Sequence, residues 1–282
     1  MNYLITGATG GFGGYALEYL SKLVDKKNIY ALARDKEKGA KLQEAGFNVR
    51  IGDYADEDSM VESLQGINRL LFVSGAPGNR QAEHANVVRA AKKAGVSYIV
   101  YTSFPKADQS TSLLAADHSF TEKEIKQAEI KHTFLRNNWY LENEMPIIQR
   151  ALATGKFVYV AKNGKTGWAL KREYAEAAAK VLFKNDFPEI LELSNTPITY
   201  SELANALKEA SGKEIEAVVT DEKGFIDNLV AGGLPQPVAE MFLSFQMDIE
   251  TGQLDVVSDD LQKVLEKTLT SRPNALKELI EE

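Results

Sequence analysis

Thr6 to Gly13 reads Thr-Gly-Ala-Thr-Gly-Gly-Phe-Gly. Glycines at 7, 10 and 13 permit a tight turn, a close approach of backbone to a pyrophosphate and close packing of the helix that follows. The first-turn N–H groups of that helix, with the positive end of its dipole, suit an anion. The same glycines also serve a turn that packs a helix and binds nothing, so the surrounding elements must decide. Further on, Ala31-Leu32-Ala33-Arg34-Asp35 ends where a dinucleotide fold meets the adenosine ribose. An acidic residue there accepts from a ribose 2′-hydroxyl, whereas an arginine pairs with a 2′-phosphate. Arg34, with Lys38 one helical turn later, points to NADPH rather than NADH. Asp35 reads either as a competitor for the ribose or as the cap of the next helix.

The elements around these residues supply the context. Short apolar runs at Tyr3 to Ile5, Ile29 to Leu32, Asn48 to Ile51, Leu70 to Val73, Tyr98 to Tyr101 and Thr133 to Leu135 read as six strands. Between them, helical patterns run over Gly14 to Val24, Asp35 to Ala45, Glu57 to Leu64, Ala82 to Ala94 and Leu113 to Ala128. That alternation predicts an α/β fold, a doubly wound parallel sheet covered on both faces. Beyond Leu141 the rhythm changes. Helices are expected over Glu142 to Ala153, Arg172 to Phe183, Tyr200 to Ser211 and Pro235 to Phe245, with strand-like pieces at Phe157 to Val160, Ile190 to Leu193 and Ile215 to Val219. The expected division is a nucleotide-binding domain over 1–150 and a smaller mixed lobe over 151–282, some of whose elements return to the main sheet.

Composition excludes other chemistries. With 33 Lys and Arg against 40 Asp and Glu, the formal charge is −7, the wrong sign for a nucleic-acid binder. There is no cysteine, hence no disulfide, thiol nucleophile or thiolate metal site. No apolar run approaches the roughly 18 residues of a membrane span, so the expectation is a cytoplasmic protein without a membrane partner. The three histidines, His84, His118 and His132, do not carry metal-site spacing, and no metal is expected.

Taken together, these motifs resemble the NmrA-like group of atypical short-chain dehydrogenase/reductases. The resemblance runs through Ile5 to Gly10, Ala33-Arg34, Gly52-Asp53-Tyr54, His84 to Val88, Ala94-Gly95-Val96 and Tyr101-Thr102-Ser103. It continues in Thr121-Glu122-Lys123, Leu135 to Tyr140 and Ser258 to Lys263, nearly the whole chain. It implies that Gly7, Ala8, Thr9, Gly10, Gly11 and Phe12 hold the pyrophosphate, and that Arg34 and Lys38 hold the adenosine phosphate. Asp53 and Tyr54 would then lie near the adenine. Ser74, Gly75 and Ala76, with Thr102, Ser103 and Phe104, would line the nicotinamide half, and the segment from Arg136 and Asn137 to Asn143 would form the seam between cofactor and substrate.

Two departures bear on the chemistry. Ordinary short-chain dehydrogenases use a Tyr with a Lys four residues on, the Lys lowering the phenol pKa. None of the eleven tyrosines here has that partner. Lys123 stands in the expected region, but Ser119 precedes it by four, with His118 adjacent; these read as a weak relay or as caps and solvated groups. A quinone, a dye or an azo compound spreads charge over a conjugated system, so orientation against the nicotinamide suffices. Phe104, Trp139, Tyr140 and Trp168 are candidate walls or core filling, Asn138 and Asn143 candidate hydrogen-bond partners of an acceptor oxygen, and Lys123 a third candidate catalytic residue. The second departure is Leu170-Lys171-Arg172-Glu173, where the related enzymes carry Thr-Arg-x-Asp. Lys171, a candidate substrate contact, cannot reproduce a bidentate arginine.

The expectation is therefore an NADPH-dependent reductase of a small conjugated acceptor, the alternative being a non-catalytic dinucleotide sensor of the NmrA type. Met241-Phe242-Leu243 with Phe245 reads as a pocket seal or as the surface of a homodimer.

Overall fold

In a computed structural model, residues 1–76 and 78–281 are described. Along the chain come β1 (Tyr3–Ile5), α1 (Gly11–Ser21), β2 (Ile29–Ala33), α2 (Lys36–Glu44), β3 (Asn48–Ile51), α3 (Glu57–Ser63), β4 (Arg69–Phe72) and α4 (Arg80–Ala94). β5 (Tyr98–Ser103), α5 (Leu113–Gln127) and β6 (Lys131–Asn137) follow. After a 3-10 turn at Leu141–Glu144 come α6 (Met145–Thr154), β7 (Lys156–Tyr159), β8 (Lys165–Thr166), α7 (Lys171–Lys184), β9 (Ile190–Leu193), β10 (Ile198–Thr199) and α8 (Tyr200–Ser211). The chain closes with β11 (Glu216–Val219), α9 (Glu222–Ala231), α10 (Gln236–Glu250), α11 (Asp260–Leu265) and α12 (Arg272–Glu281).

Contacts divide these elements into two compact units, Met1–Asn137 with Arg172–Leu193 and Lys263–Glu266, and Asn138–Lys171 with Ser194–Gln262 and Lys267–Glu282. The division falls after Asn137 rather than at residue 150, because β6 ends there and the following residues pack on later segments.

The first unit is built on a seven-stranded sheet in the order β3-β2-β1-β4-β5-β6-β9, every pairing parallel. The expected doubly wound sheet is thus present, and β9 is the later strand that returns to it. Strand order reverses between β1 and β4, the switch point where open α/β sheets bind ligands beyond the carboxyl ends. All six residues of β5 are buried, as a strand covered on both faces requires. Leu4, Phe72, Tyr101 and Phe134 meet in the core beside it.

The second unit carries two small sheets, β7 with β11 in parallel and β8 with β10 antiparallel. Its α8 is bounded as the sequence implies: Thr199 and Glu202 form a reciprocal capping box, and Gly212 closes the helix in the left-handed region. The helix expected from Glu142 begins at Met145, with Pro146 in its first turn. α9 was not anticipated, because Gly224 reads as a breaker; it sits in the first turn, where Asp221 caps its N–H. Among the described residues no helix is long and apolar enough to cross a membrane.

Candidate functional site

At the switch point the glycines do different work. Gly7 adopts φ +61°, and a Cβ there would press on Val73 at 3.1 Å. Gly13 brings α1 so close to the turn that a Cβ would stand 2.3 Å from the Gly7 carbonyl. Gly10 N–H closes the turn on that carbonyl at 3.0 Å. Gly7, Thr9, Gly10 and Gly11 are open to solvent, while Ala8 and Phe12 turn inward and can offer an anion only backbone. No side chain caps α1 and no acid sits in its first turn, so the positive dipole end is left uncancelled.

At the end of β2, Arg34 is exposed and makes no hydrogen bond or ion pair with any described residue. Asp35 is resolved as the cap of α2, accepting from Lys38 N–H at 2.8 Å, with the Lys38 ammonium 3.9 Å away. Asp53, exposed, accepts from Ala55 N–H at 3.0 Å. Tyr54, half-buried, packs its ring edge-on against Phe72 and His84, and its hydroxyl donates to the Val73 carbonyl at 2.8 Å.

Beyond β4 the backbone leaves the ladder, yet its donors remain occupied. Val73 N–H donates to Thr6 Oγ1 (2.9 Å), Ser74 N–H to Thr102 Oγ1 (2.8 Å) and Gly75 N–H to His84 Nε2 (3.0 Å). The Gly75 carbonyl accepts from Arg80 Nε at 2.9 Å. Ala76 is exposed.

His84 is fully buried and reaches Thr121 Oγ1 through Nδ1 at 2.8 Å, and the Thr121 hydroxyl donates to the Asp117 carbonyl. Since Nε2 accepts, the ring is neutral with its proton on Nδ1. Arg80 Nη1 lies 3.3 Å from His118 Nε2, and His118 Nδ1 lies 2.9 Å from the Tyr101 hydroxyl. Burial and then the Arg80 charge push both histidines down to about 3. This network joins α4, β5 and α5; its local trace in the sequence is the four-residue spacing of Arg80 and His84.

The face of α5 turned to the carboxyl end of β5 carries His118 and Glu122, not Ser119 and Lys123. Phe104 is buried and stacks on the His118 ring. The Ser103 hydroxyl donates to Glu122 at 2.7 Å. Arg136, expected to contact cofactor, is instead committed to carboxylates. Its Nε and Nη2 grip Glu122 at 3.0 and 2.8 Å, while Nη1 meets Asp108 (2.8 Å) and Glu192 (3.1 Å). Burial opposes its charge, but Glu122 and Glu192 hold the guanidinium protonated. Asn137 is buried at the end of β6. Lys123 is exposed and has no ion pair among the described residues; with Ser119 it lines a cavity of about 480 Å³ that is also lined by Asp108, Gln81 and Phe120. No residue of the glycine turn lines it.

In the second unit, Asn138 is a clamp rather than an acceptor contact. Both N–H bonds of its amide are spent, on Ser194 Oγ and the Leu254 carbonyl at 3.0 Å each, and its oxygen takes Trp139 N–H at 2.8 Å. Gly167 leaves room for this, since a Cβ there would lie 2.0 Å from Ser194 Oγ. Trp168 is a core residue, not a pocket wall: it is fully buried, packs edge-on against Tyr200 and donates to Glu144 at 3.0 Å. Glu144 also receives the Tyr200 hydroxyl at 2.9 Å and a bond from the Trp139 side chain, and burial pushes it up to about 7. Trp139 packs edge-on against Phe245. Glu142 accepts the first N–H of α7, from Lys171, whose ammonium lies 5.9 Å from the half-buried Tyr140 ring. The Asn143 side chain is half-buried and has no hydrogen-bond partner among the described residues. The role of Glu144 is not legible in the sequence, because two of its three partners, Trp168 and Tyr200, lie 24 and 56 residues away. Among the described residues no three His, Asp or Glu converge to hold a metal.

Residues 2–280 match the model of the NmrA-like family. This chain belongs to that family. Escherichia coli (strain K12) quinone oxidoreductase 2 is 36% identical over 278 residues, which span 98% of this NmrA-like chain and 97% of that protein. Among solved structures, Citrobacter sp. triphenylmethane reductase superposes with a TM-score of 0.93 at 34% identity, covering 100% of both chains. The E. coli NADPH-dependent quinone oxidoreductase complexed with NADPH gives 0.92 at 36% identity, covering 99% of each. The expected family and fold are therefore borne out for this NmrA-like chain.

Proposed function

We propose that the protein is an NADPH-dependent reductase that delivers hydride to a quinone or a similarly conjugated acceptor such as a dye. The observation that carries this is the switch point: an open glycine turn, an uncapped helix N-terminus and, at the end of β2, an Arg34 with no hydrogen bond or ion pair among the described residues. These residues fit a dinucleotide with a 2′-phosphate. Gly7, Thr9, Gly10 and Gly11 present backbone to the pyrophosphate, and Arg34 with Lys38 meets the adenosine phosphate. The names of the two relatives, a quinone oxidoreductase and a triphenylmethane reductase, support the same reading.

When bound, the reduced nicotinamide supplies a hydride. The chain's part is to orient the acceptor and exclude competing geometry. A Tyr–Lys proton donor is not required of it: a quinone that takes up two electrons delocalises the charge and collects its proton from water. Consistent with this, the face of α5 toward Ser103 offers His118 and Glu122, both already bonded within the protein. Acceptor recognition is assigned to the second unit, where the Asn143 amide is unspent and Tyr140 carries the Lys171 charge beside its ring.

Purified protein should oxidise NADPH, followed by nicotinamide absorbance, when a soluble benzoquinone or a triphenylmethane dye is added. Binding of NADPH without acceptor-dependent oxidation across such a panel would leave a cofactor sensor, and the reductase reading would fail.

A further inference from the structure

The three consecutive peptides after β4 form the wall of the switch point opposite the glycine turn, since Val73 is the residue a Cβ on Gly7 would strike. Their N–H groups are held by side chains from three separate elements: Thr6 after β1, Thr102 in β5 and His84 in α4. Their carbonyls are held by Tyr54, for Val73, and Arg80, for Gly75. A strand tail past the end of its ladder would otherwise be free to rotate its peptides. A loop must pay ordering entropy on binding unless the fold has already ordered it.

We infer that His84 is a positioning residue for the dinucleotide: as a neutral acceptor it fixes the Gly75 peptide, with Arg80 on the other side, and so preorganises the cofactor wall without touching the cofactor. The inference rests on the dinucleotide reading above. Its chemistry depends on which ring nitrogen does which task. Nε2 takes the Gly75 N–H, while Nδ1–H is spent on Thr121. The burial of His84 among Tyr54, Phe72 and Tyr101 keeps the ring uncharged, as the acceptor role demands.

The two nitrogens can be separated by substitution. H84Q places an amide oxygen near the Nε2 position and keeps an acceptor for Gly75. H84N reaches only as far as Nδ1 and keeps a donor for Thr121 but no acceptor for Gly75. NADPH affinity is measured by calorimetric titration, and KM for NADPH and kcat with a soluble benzoquinone at saturation. H84N should raise Kd and KM for NADPH about tenfold, the equivalent of one hydrogen bond, with kcat held within about twofold, and H84Q should recover most of that loss. Equal affinity of H84N and wild type, or equal loss in H84N and H84Q, would overturn the inference, the second because packing and not the acceptor would then be the cause. Should either variant fail to fold, T121V, which removes the hydroxyl that takes Nδ1–H and so releases the ring from its orientation on Gly75, should raise KM for NADPH several-fold at constant kcat; an unchanged KM would equally overturn it. Failure of the wild type to bind NADPH would instead remove the dinucleotide reading itself.

Discussion

Replacing Glu144 by Gln isolates one buried carboxyl. Glu144 accepts from Trp168, Tyr200 and Trp139, has no cation among these partners, and titrates near 7 because burial penalises its charge. Below its ordinary value of 4.5 it is neutral in folded and unfolded chain alike. As pH rises through 4.5 the unfolded chain releases the proton while the native protein retains it until about 7. Stability is therefore present in full at low pH, is lost across the interval from 4.5 to 7, and levels off above it. At about 1.4 kcal/mol per pH unit, the loss amounts to about 3 kcal/mol. Gln keeps the acceptor oxygen but adds an N–H without a partner, a cost of about 1–3 kcal/mol that does not vary with pH. Urea unfolding of wild type and E144Q, followed by the emission of the chain's two tryptophans, Trp139 and Trp168, gives both stabilities at each pH. The wild-type advantage should shrink by about 3 kcal/mol between pH 4.5 and 8. Titrations elsewhere, such as those of the raised Glu142 and Glu192, cancel in the difference. A difference that stays flat, or grows with pH, would refute the argument.

R34A should weaken NADPH binding about tenfold or more, as loss of a charge-assisted contact demands, and leave NADH nearly unchanged in parallel calorimetric titrations. R136M should destabilise the protein by about 3–5 kcal/mol in the same unfolding assay, since it strands Glu122 at 4% exposure without its cation; a loss under about 1 kcal/mol would refute this. N143A should lower quinone turnover at least several-fold with the NADPH Kd unchanged, read by steady-state kinetics beside calorimetry.

Features set by neighbouring residues are the ones legible in the chain. The glycine turn is written in residues whose backbone freedom the fold needs at Gly7 and whose lack of Cβ it needs at Gly13. α8 is marked at both ends by Thr199, Glu202 and Gly212. The roles of Asn138 and Arg136 were not legible, because they are set by partners brought from afar. The amide of Asn138 is consumed by residues 56 and 116 positions away, and Arg136 collects carboxylates from residues 108, 122 and 192. The bonding of His84 and His118 was hidden for the same reason: Gly75, Arg80, Thr121 and Tyr101 gather around them only when α4, β5 and α5 pack. Ser119 and Lys123 had the spacing of a proton relay but lie one position away from the face that β5 meets, occupied by His118 and Glu122.

The interleaving of the two units has a consequence for how the protein is made. As the chain emerges during synthesis, β6 is available before β9, and the segment that lies between them belongs largely to the other unit. Until residue 193 has appeared, β6 offers Phe134, Leu135, Arg136 and Asn137 as an open edge, the pairing side that β9 later covers. Exposed strand edges of this kind recruit other chains. A nascent molecule stalled between these points, or a fragment cut at residue 150, would carry an intact glycine turn on an unfinished sheet, and its fate would be set by association rather than by its affinity for any nucleotide.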